Sequence, residues 1–299
     1  MDNFLKKKSN VVLIAIFYSF LWGTAFPLVK ICMEQFGAVD NMSKCLVAGI
    51  RFTLSGLLLT IFSLIKDKSF LKTNKKSGVN VTAYGVCLAL QYAFTYIGLS
   101  NINASAGAIF DQLCVFIIII ASCAFLKNDK FTAKKIIGCI VGFIGIIMVN
   151  TDGFSFSFSL SGEGAMFAAA LLQAVAYFIA VFSANSLSAV KLVSIGQFIG
   201  GLLMIVFALI SGGTVNAVTV PGVIVLVGLA LISAIAYVLS LLPLKFFPAS
   251  EIAVFNLLIT VFGVIMSALV LGENIFRFNY FAALALVSAG IIFVNLKNK

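Results

Sequence analysis

Four charged residues fall inside long apolar runs of this chain: Lys30, Arg51, Asp111 and Glu251. A charge placed in hydrocarbon costs about 2.5–3.5 kcal/mol on insertion scales, so such groups pair or face a polar cavity. Asp111 is the strongest candidate for chemistry. Its carboxylate can hold an amine or carry a proton. The run that contains it begins near 104, which puts it about 10–12 Å deep at a helical rise of roughly 1.5 Å per residue, close to a bilayer midplane. Arg51 lies about 9 Å into its own run by the same rise. Its planar fork suits a carboxylate. It can hold Asp111, bind a substrate carboxylate, or exchange one for the other. Lys30 sits within a turn of its run's end and can snorkel to the interface; a substrate carboxylate is its other partner. Glu251 opens a run after Pro248-Ala249-Ser250, a first-turn position that the helix dipole favours for a carboxylate, with proton coupling as the alternative role. Pro27 removes a helix hydrogen bond and permits a kink, as Pro243 does. Lys30, Glu251 and Pro27 are therefore the candidates for coupling or gating.

Uncharged residues extend the candidate site. Gln91, Gln112, Gln173 and Gln197 lie within apolar runs and need partners. Gln112 follows Asp111 but points roughly 100° away on a helix, so only one of the two need face a cavity. Trp22, Tyr92 and Tyr237 are candidates for an aromatic wall. Aromatics make up 13% of the chain, so packing or lipid contact is the default for any one of them.

Other chemistries are excluded. The chain has no His, and its six Cys show no metal-ligand spacing, so neither a metal nor a cofactor is expected. Cys32 and Cys45 flank the first loop between runs, as two free thiols or a disulfide. No Gly-rich phosphate loop ending in Lys-Ser/Thr is present, which argues against ATP hydrolysis. An intramembrane protease would need paired Asp, a Ser–His pair or His-held zinc, so no enzyme activity is expected. A receptor would not need the duplication described next.

The elements that position these residues are apolar helices. The 299 residues are 62% hydrophobic and 10% charged, with mean hydropathy +1.16. A soluble domain carries about 25% charged residues, so lipid must be part of this chain's solvent. Runs long enough to span a bilayer fall at about 11–32, 45–65, 81–99, 104–126, 135–151, 164–184, 190–210, 220–242, 249–271 and 278–296. The first is longer than a signal-peptide core and is read as retained. The fold class expected is an all-α integral membrane protein with ten transmembrane helices. Positive residues collect on the cytoplasmic side. With both termini inside, sixteen of the 20 Lys and Arg fall in inside segments and only Lys44 and Arg277 fall outside. The basic balance therefore reports topology in a plasma membrane and not nucleic-acid binding. Headgroup contact is a further use of the lysines at 66–76.

A shift of 145 residues aligns the chain with itself. Gly145-Ile146-Ile147-Met148-Val149-Asn150 falls on Gly290-Ile291-Ile292-Phe293-Val294-Asn295, Ala104-Ser105 on Ala249-Ser250, and Tyr92 on Tyr237. Asp111 falls on Asn256. Five spans per half put the halves, 1–152 and 153–299, in opposite orientations, an inverted repeat. The loops agree: 66–76 carries five Lys and its counterpart 211–219 none. Transporters of this architecture bind substrate near the midplane between the repeats. Small-residue spacings at Gly138–Gly142 and Gly196–Gly200 permit close packing, within the bundle or in a homodimer.

Three segments carry a family resemblance. Trp22-Gly23-Thr24-Ala25-Phe26-Pro27-Leu28-Val29-Lys30 resembles the first-helix motif of the EamA family in the drug/metabolite transporter superfamily. Ala48-Gly49-Ile50-Arg51-Phe52 resembles its second-helix Arg-Phe segment, and Leu271-Gly272-Glu273 the Leu-Gly-Glu that ends its ninth helix. The resemblance implies ten helices around a central cavity that moves small metabolites, often amino acids, commonly outward. Family members often have a Pro within helices 4 and 9; here those neighbourhoods read Cys114-Val115-Phe116 and Ile259-Thr260-Val261. The function expected is secondary transport, by alternating access around the cavity and outward, of a small zwitterionic or amphiphilic metabolite such as an amino acid, with its amine at Asp111 and its carboxylate at Arg51 or Lys30. Export of cationic drugs is the alternative. Substrate-binding residues are expected to be Asp111, Arg51, Asn256, Trp22, Tyr92 and Tyr237. The expected partners are a small-molecule substrate and the lipid bilayer.

Overall fold

The structure, a computed structural model, describes residues 5–72, 74–125, 132–149, 151–152, 155–156, 158–247, 252, 256–274 and 278–295. Its helices, in chain order, are α1 Lys8–Gln35, α2 Asn41–Lys66, α3 Lys75–Asn101, α4 Ala104–Phe110, α5 Leu113–Phe125 and α6 Ala133–Val149, then α7 Ala165–Ser183, α8 Ala189–Ile210, α9 Val220–Leu241, α10 Leu257–Leu271 and α11 Phe278–Asn295. A two-residue antiparallel pair, β1 Thr151–Asp152 with β2 Ser155–Phe156, lies between α6 and α7. Seven helical stretches are long and apolar enough to cross a membrane, among them Ser9–Gln35, Asn41–Lys66 and Lys75–Asn101. Leu258–Leu271 and Phe278–Gly290 are shorter apolar helices. The protein is an all-helical, multi-pass membrane protein.

Caps set where helices begin. Asp40 accepts from the N–H groups of Met42 and Ser43, both at 2.9 Å, and so opens α2. Asn74 accepts from Ser77 N at 2.8 Å and opens α3. These side-chain oxygens satisfy amide donors that the first helical turn leaves free. Asp40 also accepts from the Ser43 hydroxyl, and these bonds hold its carboxyl below the usual aspartate range. At the other end of the chain, α10 stops on Gly272, whose φ of +65° is open to glycine without strain.

Hydrogen bonds between loops define two opposite faces. On one, Asn216 donates to Gly37 O at 3.1 Å, Asn101 to Ser161 O at 3.3 Å, and Ala104 N to Glu273 Oε1 at 2.9 Å. On the other, Asn80 donates to Ser183 Oγ at 3.0 Å and Lys191 Nζ to Lys72 O at 2.5 Å. This second face carries the lysines of 66–76.

The helices meet through glycine seams. A Cβ on Gly56 in α2 would stand 2.4 Å from Phe198 N and 2.6 Å from Ser194 O in α8. A Cβ on Gly201 in α8 would stand 2.3 Å from Thr53 N and 2.8 Å from Gly49 O in α2. Positions 56 and 201, 53 and 198, and 49 and 194 are each 145 apart. The small-residue spacings are filled from within the chain: Gly196 and Gly200 receive Tyr84 and Gly85 of α3, and Gly138 and Gly142 receive Gly290 of α11. Cys32 and Cys45 are buried free thiols, not a disulfide.

One expectation needs correction in detail. The run 104–126 is not one continuous helix but breaks between α4 and α5. Pro27 lies inside α1, and Pro243 lies in the 3₁₀ turn Leu242–Lys245 that follows α9.

Candidate functional site

The break between α4 and α5 places Asp111. There the backbone tightens into 3₁₀-type bonds, Gln112 N to Ile109 O at 3.1 Å and Cys114 N to Asp111 O at 3.2 Å. In a continuous helix Gln112 N would bond to Ala108 O. That carbonyl instead accepts from the Thr260 hydroxyl of α10 at 3.4 Å. No proline is required, because a neighbouring helix satisfies the freed group. The Asp111 carboxyl accepts a hydrogen bond from the Gln173 side chain of α7. Asn256, 145 residues on, sits at the N-terminal end of α10, and its Oδ1 accepts from Tyr18 Oη at 3.1 Å.

Both residues line a central cavity of about 940 Å³, counted with its open mouth. The walls come from α1, α2, α3, the α4–α5 break, α7, α9 and the start of α10. Arg51, Trp22, Tyr92 and Tyr237 line the same cavity, so all six residues expected to bind substrate come together.

Arg51 is 1% exposed. Its Nε donates to Ser233 Oγ at 2.9 Å and to Leu229 O at 3.3 Å, and its Nη1 to Tyr96 Oη at 3.3 Å. Among the described residues its Nη2 has no hydrogen-bond partner. The guanidinium also stands 4.9 Å from the ring centre of Phe52 and 5.8 Å from that of Tyr92. Of the roles expected for Arg51, holding Asp111 is not the one seen: among the described residues no ion pair joins them. The buried charge is held by hydroxyls, one carbonyl and ring faces, and one arm of the fork is left over.

The aromatic residues form a connected wall. Tyr237 donates to Tyr92 at 2.8 Å, oxygen to oxygen, and these two positions are 145 apart. Trp22 meets Tyr237 edge to face, with ring centres 4.7 Å apart. The chemistry offered is one carboxylate, one guanidinium with a free N–H pair, phenol hydroxyls and ring faces.

Of the coupling and gating candidates, Lys30 and Pro27 lie elsewhere. Lys30 lines a separate pocket with Glu34 and Lys44 at the face opposite the lysine-rich one, within the field of Glu273. It is not among the residues that line the central cavity. Pro27 does not line the cavity either. Glu251 lies outside the described residues. Gln173 and Gln197 have the partners expected of them; Gln197 accepts from Ser55 and donates to Ser233 O. Gln91 Oε1 and both amide atoms of Gln112 have none. Sequence reasoning noted Gln173 only as an amide in need of a partner and left out Tyr84, Tyr96 and Tyr177, although all four line the cavity. Gln173 carried a signal, a primary amide in an apolar run. The tyrosines carried none above the aromatic background.

The family model for the EamA-like transporter family matches residues 9–151 and again 160–296. An uncharacterized transporter of Bacillus subtilis, YvbV, is 26% identical over 306 residues, which cover 98% of this chain and 93% of the relative. An uncharacterized transporter of Haemophilus influenzae is 26% identical over 310 residues, with 97% and 99% covered. A solved crystal structure superposes with a TM-score of 0.74 at 18% identity, covering 97% of this chain and 99% of that one, a likeness of fold.

Proposed function

The chain belongs to the EamA-like transporter family, and from that premise we propose that it is a secondary transporter that exports small zwitterionic metabolites, amino acids foremost, by alternating access around the central cavity. The observation that carries this reading is a pair of opposite charges in one cavity that do not bond each other. Asp111 receives an amide from Gln173, and Arg51 Nη2 has no hydrogen-bond partner among the described residues. An ammonium at Asp111 and a carboxylate at Arg51 would satisfy both, which is the chemistry of an amino acid. Between them the Trp22–Tyr237–Tyr92 wall takes the side chain.

Ten spans in two inverted halves, 1–152 and 153–299, are the architecture proposed to move. The seam at Gly56 and Gly201, the Tyr92–Tyr237 bond and the two matches to the family model support the duplication. Two related halves around a midplane site can exchange conformations and so expose the site to either side. The lysine-rich face is proposed to be cytoplasmic in a plasma membrane, with both termini there.

A second reading, export of cationic drugs, is favoured by the same wall: aromatic faces beside one carboxylate attract a cation without needing Arg51. Counterflow in proteoliposomes separates the two, with amino acids as one panel, organic cations as another and Asp111→Asn as the control. Exchange of an amino acid that the variant loses supports the proposal. Exchange of cations alone moves the assignment to drug efflux. No exchange from folded protein removes support for either substrate class.

A further inference from the structure

The central cavity and the pocket at the face opposite the lysine-rich one have one lining residue in common, Leu99. That outer pocket is lined by Lys30, Glu34, Lys44 and Ser100 and is about 850 Å³ with its open mouth. Leu99 stands near the end of α3, is 1% exposed, and presses on the bare Cα of Gly107 in α4. A Cβ on Gly107 would lie 2.3 Å from Leu99 Cδ2 and 3.7 Å from Phe26 Cδ1. Gly107 is thus a socket for the Leu99 side chain, which a Cβ at 107 would force to shift. The helix that carries the socket is tied down across the fold, because its first amide, Ala104 N, donates to Glu273 Oε1 at 2.9 Å. Glu273 follows α10, in the other half of the chain, and α10 also reaches the break beyond the socket through Thr260.

We propose that Leu99 seated in Gly107 is the barrier between the central cavity and this outer pocket, and that Glu273 holds the socket in place while the barrier is closed. The pocket beyond, with two ammonium groups and a carboxylate on its walls, is the vestibule into which the path opens when the seat is broken. Opening requires α3 and α4 to separate by about one side chain at this point. It also requires the Glu273 bond to let go, which couples the barrier to movement of the second half. The inference rests on the cavity being a transport path, but not on which substrate travels it.

A labelling experiment tests the barrier without a substrate. Thr95 lines the cavity and its hydroxyl bonds only to its own helix, at Gln91 O, 3.0 Å away, so Thr95→Cys is a small change. The full chain carrying Thr95→Cys is placed in proteoliposomes of determined orientation and treated with a membrane-impermeant maleimide from one side at a time. The chain without that substitution reports labelling of the native thiols, and the labelled peptide is identified by mass spectrometry. Leu99→Ala is expected to raise the labelling rate from the Lys30 face at least about tenfold, a modest share of what truncating a buried leucine does to an equilibrium that uses it. Gly107→Ala, which fills the socket and leaves Leu99 intact, is expected to act in the same direction. It also keeps the test decisive if Leu99→Ala does not fold. Leu90→Ala, at a position 47% exposed on the same helix, is expected to change nothing. If position 95 is labelled through the lysine-rich face, but neither substitution speeds labelling from the other, the barrier inference is wrong while the path stands. If position 95 is labelled from neither face in any variant, the path and the barrier both fall.

Discussion

Arg51→Lys keeps a positive charge in the cavity but removes the fork. The guanidinium spends Nε on Ser233 and Leu229 O and Nη1 on Tyr96, which leaves Nη2 for a substrate carboxylate. A lysine ammonium is one point with three donors, and it cannot both fill those partners and offer a second, unfilled arm. A hydrogen bond to a charged group is worth about 1.5–3 kcal/mol, and each 1.4 kcal/mol is roughly tenfold, so the apparent KM in counterflow should rise about 10- to 100-fold. Thermal stability will fall too, because partners are lost, so KM alone does not separate binding from packing. The substrate's methyl ester does. It removes the carboxylate charge from the ligand side, and should weaken binding to the unmodified protein by a factor similar to that of Arg51→Lys. In Arg51→Lys the ester should cost little more. If the two penalties instead multiply, Arg51 does not touch the carboxylate, and the zwitterion assignment loses its anionic half.

Tyr92→Phe and Tyr237→Phe each remove one side of a 2.8 Å bond, so a double-mutant cycle in thermal unfolding should show coupling of about 0.5–1.5 kcal/mol, and additive effects would deny the bond. Gly56→Ala and Gly201→Ala force a methyl onto backbone atoms at 2.4 Å and 2.3 Å, and each should destabilise by about 1–3 kcal/mol or more, to a comparable degree. Gly228→Ala, with nothing within 4 Å, should be neutral or stabilising. Unequal effects at positions 56 and 201 would speak against a seam built from equivalent halves. Asp40→Ala should cost about 1 kcal/mol at neutral pH as a lost cap. The Asp40 carboxyl is held below its ordinary value, so its contribution is present above the unfolded aspartate pKa and is lost as pH falls through the folded one. The deficit of Asp40→Ala, followed by unfolding at several pH values, should therefore shrink below about pH 4.

Much of the candidate site was legible because matches within the sequence recur at one offset. Asp111 with Asn256 and Tyr92 with Tyr237 were singled out as pairs 145 residues apart, and all four line one cavity. A buried charge in an apolar run also announces itself by its cost, which is why Arg51 and Asp111 were found. The partners of those charges were not legible. Ser233, Tyr96 and the Leu229 carbonyl are ordinary in sequence, and nothing in their neighbours points at residue 51. The break at Asp111 was hidden because it uses neither Pro nor Gly: it depends on Thr260, 152 residues away, to take the freed carbonyl. Leu271-Gly272-Glu273 was noticed through a family resemblance, and its physical use emerged from the fold, in Glu273 reaching the first amide of α4. Lys30, read as lying within a turn of the end of its run, lines the outer pocket, but its neighbours Lys44 and Ser100 come from other helices and were not legible.

The chain contains one tryptophan, and it lines the cavity, so its emission reports from the proposed site with no added label. Titration with an amino acid that the protein exchanges should shift or quench Trp22 emission along a saturable curve. The same titration of folded Asp111→Asn should give no such curve at comparable concentrations. Unchanged Trp22 emission from a protein that demonstrably exchanges the same amino acid would contradict the central claim that this cavity holds the substrate.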